Sequence, residues 1–496
     1  MGKKDTRNRL RVGLTRTGKS EAARGTTLTH ALAQDTAIVA IDPHGTMTPK
    51  LLLDFAKLGM LKRVIYDRLS DTDLTPSYDW LVPSKNPDPY QRVAQNEQSV
   101  RDFVTLLMRR RGILSTAKTP FIEEGLMTAG NIYINQSEPA RPYWLPDLYV
   151  RGSDSYFWMP SHCTDRKAVM KFHQYAELNP LQWRVETGPA ERIMNATLTS
   201  PAFMIRSAGA SYDFDGFLKG NGILLLDGSS KGNLSKDAAG IMFGSIILRV
   251  IDAARAGRIG RCYLLIDEAS NANLIGLNES LALAECGKWG LEFDILIQTV
   301  MSITDQQVRD NVLQNCWFHE WFRQGSPDAA ELAAQDIATP ILDPLKIHHM
   351  EYRTRRVEDG LEEFISRQKG EQKDEHGKKR KSEGETTSYR PKFAEVTDEQ
   401  ARYTSLQDQI KLIQRELMRL EPGWRFVRGA DSSKPEYVRM EATPWDCFRG
   451  LAEVKFERAL AEVKRGAAYR KPSILWPSAP QPPEPPPTKK GGGGMK

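Results

Sequence analysis

The chain has 496 residues, enough for two to four domains and at least one sizeable buried core. No apolar run approaches the roughly 18 to 20 residues that a helical membrane span needs, and the polar, basic first residues lack the apolar segment of a signal peptide. A net charge of +6 neither requires nor excludes a polyanionic partner, while five cysteines (Cys163, Cys262, Cys286, Cys316 and Cys447) without paired spacing suit a reducing cytoplasm better than a disulfide framework.

Residues 10–12 read as a short apolar strand entering a glycine-containing loop, 21–33 as a helix, and 36–41 and 63–66 as strands. Alternation of this kind predicts a parallel sheet with helices on its faces. From 76 to 206 the pattern changes: 90–108 and 121–135 carry helical apolar spacing with few strand signals, which predicts an all-α insertion. The α/β pattern then resumes. Strands are expected at 223–226, 263–266, 294–297 and 317–323, and helices at 238–256, 278–286, 306–315 and 328–334.

The expected domains are therefore a discontinuous α/β domain (1–75 and 207–345) interrupted by an all-α insertion (76–206). A charged linker follows at 346–396, then a helical C-terminal segment at 397–476 and a disordered Pro/Gly-rich tail at 477–496. The basic run Lys378, Lys379, Arg380 and Lys381 lies in the linker and reads more readily as a solvated stretch than as a nucleic-acid contact. Leu406, Ile410, Ile413, Leu417 and Leu420 recur at spacings of four and three, a two-heptad stripe suited to packing on a partner helix.

Three segments carry chemistry. Gly13-Leu14-Thr15-Arg16-Thr17-Gly18-Lys19-Ser20 matches G-x-x-x-x-G-K-[ST] in full, after an apolar strand and at the opening of a helix. Backbone N–H groups of such a loop wrap phosphates, and the following helix adds its positive end. Gly13, Thr15, Arg16, Thr17, Gly18, Lys19, Ser20 and Glu21 are the candidate nucleotide contacts, with Lys19 reaching the β/γ-phosphates and Ser20 ligating Mg²⁺. Cys262-Tyr263-Leu264-Leu265-Ile266-Asp267-Glu268 is an apolar strand ending in two carboxylates. Asp267 is the candidate metal ligand, and Glu268 the candidate base for the attacking water. Ile295-Leu296-Ile297-Gln298-Thr299 is a third apolar strand, whose terminal amide, Gln298, can orient water or sense the γ-phosphate.

Weaker candidates surround these. Arg309 and Arg323 are possible arginine fingers toward a neighbouring subunit's nucleotide, though each also reads as an ordinary surface arginine. His44 follows a strand end near the nucleotide edge and reads equally as a nucleotide contact, a loop support or a turn residue. His162, Cys163 and His173 fit no zinc spacing and are not expected to bind metal.

The phosphate loop, Asp42-Pro43-His44-Gly45, Asp267-Glu268 and Gln298 together resemble the FtsK/HerA class of ring-forming, DNA-pumping ATPases. Within that class the chain is most similar to the conjugative coupling proteins of type IV secretion, the TraG/TraD type. The narrower likeness rests on Ile223 through Gly232 with the helix after it, on Gly287-Lys288-Trp289-Gly290-Leu291, and on Asn315 through Phe322-Arg323 to Asp328-Ala329. The resemblance implies a RecA-like P-loop sheet, ATP and Mg²⁺ as cofactors, a homo-hexamer, and ATP-driven DNA translocation in conjugative transfer. Relaxase-bound DNA cargo or secretion-apparatus proteins are the implied partners. The family's lysine, serine, Asp-Glu pair and glutamine carry over onto Lys19, Ser20, Asp267, Glu268 and Gln298. Coupling proteins usually begin with two membrane helices and HerA proteins with a β-barrel, whereas this loop starts at residue 13. The expectation is accordingly a cytoplasmic protein, or one docked peripherally at the inner face of the membrane. A HerA-like helicase or packaging motor is the alternative, and a nucleotide-switched scaffold with little turnover the second.

Overall fold

The computed structural model describes residues 7–113, 120–209, 211–229, 234–269, 282–303, 306–343, 345–373, 375, 377–429, 435–439 and 451–475. The chain divides into two compact units, Met1–Ala333 with Glu416–Lys496, and Ala334–Arg415.

The first unit opens with β1 (Arg9–Val12), α1 (Lys19–Ala33), β2 (Ala37–Asp42), α2 (Thr48–Lys57), β3 (Val64–Arg68) and the short β4 (Thr75–Pro76). Six α-helices follow among the described residues: α3 (Pro89–Arg110), α4 (Pro120–Ile134), α5 (Asp154–Ser161), α6 (Arg166–Ala176), α7 (Pro180–Leu198) and α8 (Pro201–Ser207). Their starts obey local chemistry. Asp88 caps α3 by accepting from the Tyr90 amide at 2.9 Å, and Asn179 caps α7 through the Leu181 and Gln182 amides, each with proline at the first helical position. Their shared core is aromatic, with Tyr149 against Phe172, Tyr175 and Trp183.

The chain then alternates: α9 (Phe214–Lys219), β5 (Ile223–Asp227), α10 (Lys236–Arg255), β6 (Cys262–Ile266), α11 (Ala282–Trp289), β7 (Leu291–Ile297), α12 (Gln306–Asn315), β8 (Phe318–Trp321) and α13 (Pro327–Ala338). The helix expected at 278–286 lies partly outside the described residues, as do Ser230, Lys231 and Gly232 of the coupling-protein likeness.

Seven of these strands pair in parallel, in the order β8-β1-β7-β6-β2-β5-β3. Every residue of β2, β5, β6 and β7 is buried, as expected of parallel strands covered on both faces by helices. One charged group crosses this apolar layer. Arg11 of β1, 1% exposed, bonds Asp294 of β7 at 2.8 Å and Glu320 of β8 at 2.9 Å, and Tyr263 of β6 donates to the same Asp294 at 2.6 Å. Buried carboxylates of this kind persist only when paired and hydrogen-bonded.

In the second unit, residues read as a linker form a two-stranded antiparallel ribbon instead, β9 (Ile347–Lys373) against β10 (Lys379–Tyr403). Opposite charges face one another across it, as in Arg356–Glu395, Arg367–Glu385 and Lys369–Glu383. Both faces are solvated, so there is no apolar alternation from which to read the strands. At its base Thr404 donates to Lys346 and Asp343 exchanges two hydrogen bonds with Gln409.

The C-terminal segment, expected to be helical, is mixed. After α14 (Leu406–Arg419) come β11 (Trp424–Gly429) and β12 (Glu436–Arg439), then α15 (Phe456–Val463) and β13 (Tyr469–Arg470). β11 pairs antiparallel with β8, and β12 with β11, so the described sheet has nine strands. Arginines interrupt the β11 pattern and hid it, yet Arg425 is 3.2 Å from buried Glu320. Of the heptad stripe, Leu417 and Leu420 are buried and the Leu417 carbonyl accepts from Gln324, while Leu406 is exposed. The expected disordered tail lies outside the described residues. Among the described residues no helix is long and apolar enough to cross a membrane.

Candidate active site

The loop between β1 and α1 is shaped by two residues in the left-handed region, Arg16 (φ 63°) and Gly18 (φ 109°). Gly18 is also the N-cap of α1 and offers no side-chain acceptor, so the first amides of that helix face outward. Gly13 is required by a close approach: a Cβ there would lie 2.6 Å from the Cβ of Phe322. The loop is tied at both sides, by the Gly13 amide on Ile297 and the Leu14 amide on Arg323, and Gly423 donates to Thr17.

Lys19 is 8% exposed. Its ammonium points into the loop and donates to the carbonyls of Gly13 and, at 2.8 Å, Leu14. Burial depresses its pKa to about 8, against the opposing pull of Asp267 and Glu268. Asp267, at the end of β6, is pushed up to about 7, first by burial and then by the neighbouring Asp42 and Glu268 carboxylates, with Lys19 acting the other way.

These groups border one cavity of about 460 Å³. Thr15, Arg16, Gly18, Lys19, Ser20 and Glu21 line it from the loop, and Asp267 and Glu268 from β6. Gly13 and Thr17 do not line it. Thr17 lies behind, its hydroxyl on the Leu14 carbonyl at 2.7 Å. Gln298 reaches the site indirectly, donating to Glu268 Oε1 at 3.1 Å. Arg323 contributes its carbonyl to the loop while its side chain is exposed; Arg309 is part-buried on α12, and neither lines the cavity.

Four further lining residues lay outside the sequence reading: Arg24, Thr46, Met47 and Lys50. Arg24 clasps Asp54 through two nitrogens and Glu21 through a third, and Lys50 reaches Glu21 at 2.9 Å. Only the position of Arg24, one turn beyond Ser20 on the same helix, hinted at its place.

The Asp42-Pro43-His44-Gly45 turn is built around Asp42, which is fully buried. Its carboxylate accepts from the amides of His44, Gly45, Met47 and Thr48 at 2.6 to 3.1 Å. Gly45 has φ 64°, and a Cβ on it would stand 2.2 Å from Asp227 Oδ1. The turn delivers His44 to Glu268, where its Nε2 is hydrogen-bonded to Oε2.

A magnesium ion suits this donor set. The Ser20 hydroxyl and the Asp267 carboxylate are hard oxygen donors beside a phosphate-shaped loop, and magnesium binds through one or two carboxylates together with substrate phosphates.

No protein-family model and no curated protein sequence matches the chain. Solved structures do. The chain is similar to the plasmid coupling protein TrwB in complex with the non-hydrolysable ATP analogue ADPNP, at 13% identity and a TM-score of 0.54, over 91% of this chain and 89% of that one. The complex of TrwB with ADP and Mg²⁺ matches at 13% identity and 0.53, over 90% and 86%. The unbound monoclinic form of this bacterial conjugative coupling protein matches at 12% and 0.53, over 88% and 86%. The family resemblance read from the motifs thus extends to the whole α/β architecture: the chain has the fold of the conjugative coupling proteins.

Proposed function

We propose that this chain is an Mg²⁺-dependent ATPase that drives DNA movement, a motor of the conjugative coupling type. The observation that carries the reading is the convergence of three strand ends on one cavity. The loop after β1 and the carboxylates after β6 line it with Leu296 and Ile297 at the end of β7, which lies between β1 and β6 in the sheet, and the Gln298 amide joins through Glu268.

In this reading Lys19 exchanges the carbonyls of Gly13 and Leu14 for phosphate oxygens, and the outward amides at the start of α1 share the same charge. Ser20 and Asp267 hold the metal ion, which supplies charge neutralisation to the phosphates. Glu268 accepts a proton from the attacking water, and Gln298 orients that carboxylate and senses the γ-phosphate. Arg309 or Arg323 completes the site of a neighbouring subunit in a homo-hexamer threaded by DNA. The fold shared with TrwB, a plasmid coupling protein solved with ADP and Mg²⁺, supports the choice of nucleotide and metal.

ATP hydrolysis measured with and without DNA tests the reading, alongside Lys19→Ala and Glu268→Gln. Turnover stimulated by DNA and abolished in both variants is expected. Turnover in Lys19→Ala equal to that of the unmodified chain would remove the site assignment. Absence of turnover with retained nucleotide binding would favour the scaffold alternative. Negative-stain images with nucleotide and DNA test the ring.

A further inference from the structure

We infer that His44 is a positioning residue for Glu268, the member of the site that aims the water-activating carboxylate. This inference rests on the ATPase reading above and adds a residue to it.

The placement follows from the sheet. β2 and β6 are neighbouring parallel strands, with Ile41 opposite Ile266, and the Asp267 amide continues the ladder onto the Ile41 carbonyl at 2.9 Å. The residues just past these two strand ends therefore emerge side by side. On the β2 side the path of the chain is over-determined: four amides converge on the Asp42 carboxylate, and Gly45 fits where any side chain would strike Asp227 and Ser229. His44 is the side chain this turn presents, and its Nε2 meets Glu268 Oε2.

Glu268 is constrained from every side that has been described. Its backbone is left-handed at φ 46°, a conformation that persists in a non-glycine residue only where the surroundings enforce it. Its amide donates to Asp267 Oδ1 at 3.0 Å. Gln298 holds Oε1 and His44 holds Oε2. A carboxylate with both oxygens engaged has one orientation, and reaction rates are sensitive to orientation: a misplacement of about 1 Å can cost about 100-fold. The imidazole is about half exposed at the cavity wall and makes no other hydrogen bond from Nε2 among the described residues. Removing it takes one hydrogen bond from Glu268 while leaving Lys19, Ser20 and Asp267 untouched, so the loss falls on turnover and not on nucleotide binding.

The test uses the full chain with Mg²⁺-ATP and compares His44→Ala, His44→Gln and His44→Asn with Glu268→Gln. Glutamine carries its amide nitrogen at about the reach of imidazole Nε2, whereas asparagine stops short. The expected result is a kcat lowered about 10-fold or more in His44→Ala and His44→Asn, with KM within about 2-fold, and most of kcat restored in His44→Gln. Should His44→Ala unfold, the contrast between glutamine and asparagine carries the same test. If His44→Ala retains kcat while Glu268→Gln is inactive, the positioning role is wrong and the ATPase reading stands. If KM rises with kcat unchanged, His44 contacts nucleotide and the inference is overturned. If Glu268→Gln is itself fully active, both the inference and the reading beneath it fall.

Discussion

Gln298 donates its side-chain amide to Glu268 across 3.1 Å, although the two residues leave the sheet from different strands. β7 and β6 are paired with Leu291 opposite Cys262 and Ile295 opposite Ile266, so their ends are staggered by two residues and the two side chains together span the gap. This stagger joins the amide to the acid.

Gln298→Ala should therefore impair chemistry more than binding. Steady-state ATPase assays are expected to show kcat reduced by about 10- to 100-fold with KM little changed, in line with the loss of an orienting contact. An unchanged kcat would show that Glu268 needs no partner on Oε1.

Asp267 gives a pH prediction. Its folded pKa, about 7, lies above the ordinary carboxylate value because burial and two neighbouring carboxylates disfavour its charge. A raised pKa contributes stability that is fully present below the unfolded value and is lost as pH rises through about 7. Without nucleotide or metal, Asp267→Asn is thus expected to melt a few degrees higher than the unmodified chain at pH 8, and the gain should shrink as pH falls below 7. The same variant should lose Mg²⁺-dependent turnover. Equal melting temperatures at both pH values would contradict the assigned environment.

Gly45 is a steric and conformational requirement at once. Gly45→Ala forces a Cβ into Asp227 Oδ1 and a left-handed φ onto alanine, the latter alone costing about 1 to 2 kcal/mol. Thermal unfolding should register a lower midpoint, and the ATPase rate should fall with it because the turn carries His44.

Arg11 tests the network beneath the loop. Arg11→Met leaves Asp294 and Glu320 buried beside one another with their main cation gone, and stability is expected to drop by about 3 to 5 kcal/mol in denaturant titrations. Combining it with Asp294→Asn and Glu320→Gln should recover much of that loss, since the penalty comes from uncompensated charge. Failure of the triple variant to recover would point to packing instead.

Much of the site was legible along the chain because its chemistry is local. Gly18, Lys19 and Ser20 sit within one turn, Asp267 and Glu268 close an apolar run, and the spacing alone singles out these residues, which line one cavity. Asp42 was visible only as part of a motif; that it gathers four amides required the fold. Arg24 and Lys50 went unread, since nothing in helical periodicity says which exposed face borders a cavity. The ribbon of β9 and β10 went unread for a related reason: its strands bury no face, and their pairing is written in charges distant along the chain, Arg367 with Glu385 18 residues on and Arg356 with Glu395 39 residues on.

The sequence by itself determined the parallel sheet, the glycine-shaped loop between β1 and α1, and the acids that end β6, because buried strands and glycine-dependent turns depend on neighbours a few residues away. Tertiary structure alone decided that β7 lies between β1 and β6, that β11 and β12 extend the sheet antiparallel, and that His44 and Gln298 close on the two oxygens of Glu268. Strand order depends on which faces bury best against which, over separations of tens to hundreds of residues, and no local pattern encodes it.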